Sequence, residues 1–229
     1  MGTIRSLGMC ICKQLLCGKI ENAMSRDERV VTIFLARHGE SIFGEERLCG
    51  WSDVPLSDRG KEQAFNLAER IKGIRFSRII SSDRIRTIET AEIINRHYSL
   101  KIEIEPEIRE LNYGLWEGKS RKEIEEEFPQ EYIAWSLDNS IAPPGGESAI
   151  EVYERSRKAI EKIVRETCSG NILIVAHKSV NRLFICGLLG GDLRYYRRIG
   201  QDNCAVNIIK YYSDFPVIER INDTGVIYG

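Results

Sequence analysis

The chain has 229 residues, is 42% hydrophobic and 29% charged, and sets 33 Lys and Arg against 34 Asp and Glu for a formal net charge of −1. That length fits one large domain or two small ones, and the balanced charge argues against a protein that binds nucleic acid by counter-ion release or a membrane through a basic face. No stretch approaches the roughly 18 consecutive apolar residues of a membrane span, and Arg5, Lys13 and Lys19 interrupt the region where a secretory signal needs an unbroken apolar run, so a soluble, cytoplasmic chain is expected.

Residues 1–29 carry Cys10, Cys12 and Cys17 and scattered charge without a sustained period, and are read as an appended, flexible segment. Met1 to Ser6 fits a myristoylation pattern, and the three thiols suit acylation or part of a metal site. A plain tail, or a true start at Met24, is the preferred reading. From Val30 to Ala36 a short continuous apolar run has the signature of a strand buried on both faces. Ser57 then opens an amphipathic helix with Ala64, Leu67, Ala68 and Ile71 on one stripe, closed at Gly73. Ser77–Ser81 is a weaker strand and Lys101–Glu105 alternates as a sheet edge does. Ser120 with Glu123, and Ser148 with Glu151, both fit the reciprocal capping box. The second box opens a long helix that buries Val152, Ala159, Ile160, Ile163 and Val164 and is stopped by Gly170. Asn171–Ala176 is another strongly apolar strand, and Ala205–Tyr211 with Val217–Ile221 form a hairpin around residues 213–216.

Strands alternating with helices imply βαβ units, hence an α/β fold. The expectation is a three-layer α/β/α sandwich over residues 30–229, with a mostly parallel central sheet and a C-terminal antiparallel hairpin. The exposed edge of that hairpin is a candidate homodimer contact. Seven cysteines, odd in number and irregular in spacing, with Cys168 and Cys186 inside helical patterns, point to free thiols rather than a disulfide scaffold.

In such sheets ligands bind beyond the carboxyl ends of the strands. Both strong strands run into a histidine there: the first into Arg37-His38-Gly39-Glu40, the second into His177-Lys178. The chain has three histidines, and the third, His97, lies late in a helical pattern and reads as a surface residue. Neither strand-end histidine has a partner at metal-ligand spacing, so no metal or cofactor is expected. Arginine beside histidine points instead to an anion. A neutral imidazole can attack phosphorus near neutral pH while guanidinium forks hold phosphoryl oxygens, which is nucleophilic catalysis by histidine. Read alone, either histidine also fits a hydrogen-bonded strand end, Arg86 a solvated helical charge beside Asp83, Arg84 and Glu89, and Glu110 an ordinary surface acid.

Taken together, Arg37-His38-Gly39-Glu40 after a buried strand, Gly50 followed by the segment Asp53 to Gly60, the stretch Ser81 to Ala91 with Arg86 and Thr90, Glu110, Gly114 and His177 resemble the histidine phosphatase superfamily in its phosphoglycerate-mutase-like branch. The resemblance covers the chain from about Val30 onward. It implies that His38 takes the phosphoryl group, that Arg37, Arg86 and His177 hold its oxygens, and that Glu110 protonates the leaving oxygen and then activates water. Cys49, Gly50, Tyr113 and Lys178 join Arg37 and Arg86 as candidate substrate contacts, Cys49 being equally well read as a buried spectator thiol, and Trp51 and Arg121 are further candidates for the leaving-group side. The chain departs from the pattern at Gly44, where many relatives carry a phosphate-binding Asn, at Cys49, where Gln or Thr is frequent, and at Lys178, where Gly is common.

Within the superfamily, the segment Arg109 to Gly118 resembles the phosphatases, and the short stretch Asp138 to Gly145 leaves no room for the insertion by which mutases cover their substrate. Gly50-Trp51-Ser52-Asp53 is mutase-like in wording. The function expected is a metal-independent phosphomonoester hydrolase acting through phosphohistidine on a small phosphorylated metabolite. Phosphoglycerate mutase and a non-catalytic scaffold are the alternatives, the scaffold being disfavoured by the intact set of site residues. Phosphoserine, a ribazole phosphate, phosphoglycerates and sugar phosphates all stay open as substrates.

Overall fold

The computed structural model describes residues 30–212 and 215–225. The amino-terminal tail with its cysteines, and the tip of the C-terminal hairpin, lie outside the described residues. Six strands form one sheet in the order β3-β2-β4-β1-β5-β6: β1 (Val31–Arg37), β2 (Phe76–Ser81), β3 (Ile102–Ile104), β4 (Gly170–Ala176), β5 (Val206–Tyr211) and β6 (Pro216–Asp223). β1 pairs with β4, β4 with β2 and β2 with β3 in parallel, while β5 is antiparallel to both β1 and β6. The mostly parallel sheet with an antiparallel C-terminal pair is therefore present as expected.

The helices are α1 (Asp58–Ile71), α2 (Ile85–Asn95), α3 (Arg121–Glu127), α4 (Pro129–Leu137), α5 (Ala149–Glu166) and α6 (Lys178–Leu188). Strand side chains alternate between two apolar layers, as the period of two requires. Val31, Ile33 and Leu35 of β1 and Ile172 and Ile174 of β4 meet Val152, Ile160 and Ile163 of α5 and Val180, Leu183 and Phe184 of α6. On the other face Phe34, Ala36, Leu173 and Val175 meet Ala64, Leu67, Ala68 and Ile71 of α1 and Ala91 and Ile94 of α2. Burial on both sides explains why β1 and β4 read as unbroken apolar runs rather than alternating ones.

The caps follow their local chemistry. Ser57 accepts from Gly60 N at the start of α1, and both capping boxes are closed, with Ser120 and Ser148 each accepting from the amide of a Glu whose carboxylate reaches back. The stop of α5 differs from the expectation. The helix ends at Glu166, where Thr167 turns extended and its hydroxyl donates to Ile163 O, leaving Cys168 exposed beyond the helix rather than within it. Gly170 serves the next element: at φ +98° it starts β4, and its N–H donates to Val30 O at 2.9 Å. Among the described residues no helix is long and apolar enough to cross a membrane.

Candidate active site

β1 and β4 are neighbours running the same way, so their carboxyl ends lie side by side, with Arg37 opposite Ala176. The next residue on each strand is a histidine. The rings of His38 and His177 come to rest 5.2 Å apart between centroids, at 65° to one another. The short link from β2 into α2 brings a third group to the same point. Arg86, in the first turn of α2, is fully buried. Its Nε donates to His38 Nε2 at 3.3 Å and its Nη2 to His177 Nδ1 at 3.2 Å. Nη1 donates to Ser52 O at 3.0 Å, and Nη2 is also within hydrogen-bond distance of Cys49 O and Gly50 O at 3.1 and 2.7 Å. A solvated helical charge is thus excluded for Arg86. The guanidinium is a buried hub in which each of the three nitrogens meets an acceptor.

Hydrogen-bond partners set the tautomers. His38 Nδ1 lies 2.6 Å from Gly39 O, and because a carbonyl only accepts, Nδ1 carries the proton and Nε2 is the lone-pair nitrogen that receives the Arg86 Nε–H. His177 accepts from Arg86 at Nδ1, so its Nε2–H donates to Ser82 Oγ at 2.9 Å. Burial first, and the Arg86 charge second, hold both imidazoles well below the ordinary histidine range. Arg37 and Lys178 depress His38 further. Both rings are neutral at pH 7.

Arg37 ends β1 with its side chain turned into the site. Nη1 donates to Gln201 O at 2.8 Å, Nη2 pairs with Glu45, and Nε is buried without a partner. Gln201 is tied in turn to Asn207 and Asn181, a buried polar cluster behind the arginine. Glu110 is also buried. Its two oxygens accept from Leu111 N at 2.8 Å and from Ser179 N, in the first turn of α6, at 3.1 Å. Glu110 is therefore no surface acid.

These groups border a cavity of about 280 Å³. Of the residues expected at the site, Arg37, His38, Cys49, Glu110, Tyr113 and Lys178 form its wall, whereas Arg86, His177 and Gly50 pack directly behind His38. Gly50 has no room for a side chain, since a Cβ there would meet Leu111 O at 2.1 Å, and its carbonyl is free to receive Arg86. The Cys49 thiol is pushed up to about 11 by burial, so it stays protonated at neutral pH. Two expectations fail. Arg121 is exposed on α3, paired with Glu125 and stacked over Tyr132, and Trp51 lies outside the cavity wall, its indole N–H donating to Glu110 O beneath the Arg109 guanidinium. His97 is a partly exposed surface residue paired with Glu69, as expected.

Several wall residues had not been singled out from sequence: Glu45, Arg47, Trp135, Ser179, Arg182, Tyr196 and Arg197. The readable signals were Arg182 five residues after His177 on a helix, and the basic and aromatic run Arg194 to Arg198. Glu117 was missed as well. Its carboxylate collects the amide N–H groups of Gly50, Trp51, Ser52 and Tyr113 at 2.9–3.2 Å and so fixes the loop whose carbonyls receive Arg86. Among the described residues no group of three or more His, Cys, Asp and Glu is placed to hold a metal ion.

Two neutral imidazoles joined through a buried guanidinium thus stand at the end of the parallel strands, beside a cavity that His38 and the Glu110 carboxylate line. The model of the histidine phosphatase superfamily (branch 1) matches residues 33–224. The chain belongs to that superfamily and is an enzyme of its phosphatase and mutase type. It is 32% identical over 197 residues to phosphoserine phosphatase 1 of Hydrogenobacter thermophilus, covering 85% of this chain and 93% of that protein. It is 33% identical over 186 residues to the probable phosphoglycerate mutase GpmB of Escherichia fergusonii, covering 80% and 86%. Among solved structures, a putative alpha-ribazole-5'-P phosphatase from Escherichia coli superposes with a TM-score of 0.81 at 26% identity, covering 87% of this chain and 99% of that one.

Proposed function

We propose that the protein is a metal-independent phosphomonoester hydrolase that works through a phosphohistidine at His38. The observation that carries this reading is the His38 ring itself: neutral, with Nδ1–H held by Gly39 O and the Nε2 lone pair turned toward the Arg86 fork. In the first step Nε2 attacks phosphorus, the ester P–O bond breaks, and Glu110 gives its proton to the departing alkoxide, a leaving group too poor to depart unaided. In the second step Glu110 takes a proton from water as the oxygen attacks phosphorus, the P–N bond breaks, and phosphate leaves with neutral His38 restored. The unpartnered Arg37 Nε is a donor ready for a phosphoryl oxygen, and Arg86 and His177 join it in holding the oxygens by exchanging bonds they now make to His38, to each other and to Ser82.

The substrate is a small phosphorylated metabolite whose alcohol carries an acid group. Arg182 supports this: its Nε donates to Ile199 O at 2.6 Å, no other hydrogen bond engages its guanidinium among the described residues, and it lines the cavity with Arg197 beside Tyr113 and Trp135. Phosphoserine and phosphoglycerate, the compounds in the names of the two relatives, each join a phosphate ester to a carboxylate. The test is turnover of an aryl phosphate, of phosphoserine and of 3-phosphoglycerate in the presence of a chelator. Release of free phosphate is expected. Dominant conversion of 3-phosphoglycerate to 2-phosphoglycerate, or a requirement for a divalent ion, overturns the reading.

A further inference from the structure

Glu45 is an anion at the mouth of a site for anions. It follows Gly44, which holds a left-handed conformation at φ +62° with open space around it, in an exposed turn between the bridges Ser41 to Leu56 and Arg47 to Ser120. From there its carboxylate spans two cations on the cavity wall, one oxygen pairing with Arg37 Nη2 and the other with Lys178 Nζ at 2.5 Å. The partners differ in burial. The Arg37 side chain is 8% exposed and Glu45 is 51% exposed, so a displaced carboxylate has water to enter while the arginine stays walled in.

We propose that Glu45 is a specificity-determining residue: an internal carboxylate that occupies Arg37 and Lys178 in the empty site and that an entering phosphoryl dianion must displace. The inference rests on the phosphatase reading for the identity of the anion. A phosphoryl group beside Arg37 either replaces the carboxylate or binds next to its negative charge, and in both cases Glu45 opposes anion binding. A dianion with several oxygens regains more from the two cations than a single carboxylate gives up, whereas a monoanion regains no more than it replaces. Glu45 therefore raises the threshold for weak anions and leaves phosphomonoesters favoured. Gly44 beside it has no side chain to bind the anion in place of the displaced group.

The test measures binding of inorganic phosphate by calorimetry, without turnover, to the wild type, Glu45→Gln and Glu45→Ala. Both variants should bind phosphate tighter by roughly three- to tenfold, the scale of a partly exposed ion pair. In Glu45→Ala, added acetate should refill the vacated place and weaken phosphate binding, an effect absent from the wild type. Tightening in the Gln variant alone marks a new amide contact, and unchanged or weaker binding in both marks a residue that positions Arg37; either result overturns the proposal, as does failure of all three proteins to bind phosphate. A wild type that binds phosphate but hydrolyses no ester refutes the proposed reaction and leaves these affinities to decide the role of Glu45.

Discussion

The floor and the mouth of the cavity are built from opposite materials. On the floor, where His38 faces the cavity and His177, Arg86 and Ser82 pack behind it, the groups are buried and bonded to one another or to backbone carbonyls. At the mouth, Glu45, Lys178, Arg47 and Arg197 are held by ion pairs, or by stacking on Trp135, at the edge of solvent. Buried polar groups leave no slack, because each lost partner costs a desolvated donor or acceptor, while exposed pairs are weak and exchangeable. Under the proposed reaction, chemistry falls to the floor and the choice of anion to the mouth.

Substitutions on the floor should break activity first. His38→Ala is expected to lower turnover of an aryl phosphate by about 10⁴-fold or more, the scale for removing a nucleophile. Arg86→Lys is expected to lose roughly 10²–10³-fold in kcat and to lose stability, by about 1–3 kcal/mol, since a lysine cannot meet the two imidazoles and three carbonyls that the fork now satisfies. Thermal unfolding together with kinetics would separate the two losses. A stable, fully active lysine variant would make Arg86 a spectator and erase the distinction between the regions.

Glu110→Gln sharpens the comparison through the leaving group. An alkyl phosphate should slow by roughly 10²–10⁴-fold, the usual worth of a general acid, and an aryl phosphate, whose leaving group needs less help, should slow much less. Equal losses on both esters would remove Glu110 from the proton transfer.

The depressed histidines predict a pH effect on stability. Both rings titrate lower in the folded protein than the value of about 6.5 of an unfolded chain, so below that pH the unfolded state binds more protons. The contribution is fully present above about pH 6.5 and is lost as the pH falls through the window below it. The melting temperature should drop between pH 7 and 5, and His177→Asn should flatten that slope. A melting temperature that is flat in the wild type would contradict the buried, neutral assignment.

The smallest effect is expected at Cys49. With its thiol pushed up to about 11, it should resist alkylation at pH 7.5 while exposed Cys168 reacts, as read by peptide mapping, and Cys49→Ser should change turnover by only a few-fold.

The same contrast explains what could be read before the structure. The floor is built by local devices that leave a mark in sequence: two apolar strands each delivering a histidine at their carboxyl ends, and an arginine in the first turn of the helix after β2. The mouth is assembled from four separate segments, namely the turn at Glu45, the first residue of α6, Trp135 of α4 and the 3-10 turn Leu193–Arg198, and no period or motif joins them. α4 is the clearest case. It buries no residue and is fastened instead by Tyr132 and Trp135 against the buried Trp116, a contact between distant aromatics that hydrophobic periodicity does not display. Arg121 and Trp51 misled for the converse reason, since residue type marked them as contacts while α3 and the Glu117 cradle turned them elsewhere.

The most direct test of the account is to mix the enzyme, or a Glu110→Gln variant that slows the second step, with a phosphomonoester, quench within milliseconds into alkali where phosphohistidine survives, and map the peptides by mass. The account predicts one added phosphoryl group, carried by the peptide containing His38 and absent from His38→Ala. Steady turnover with no phosphoryl group on that peptide, or with the group on another residue, would contradict it.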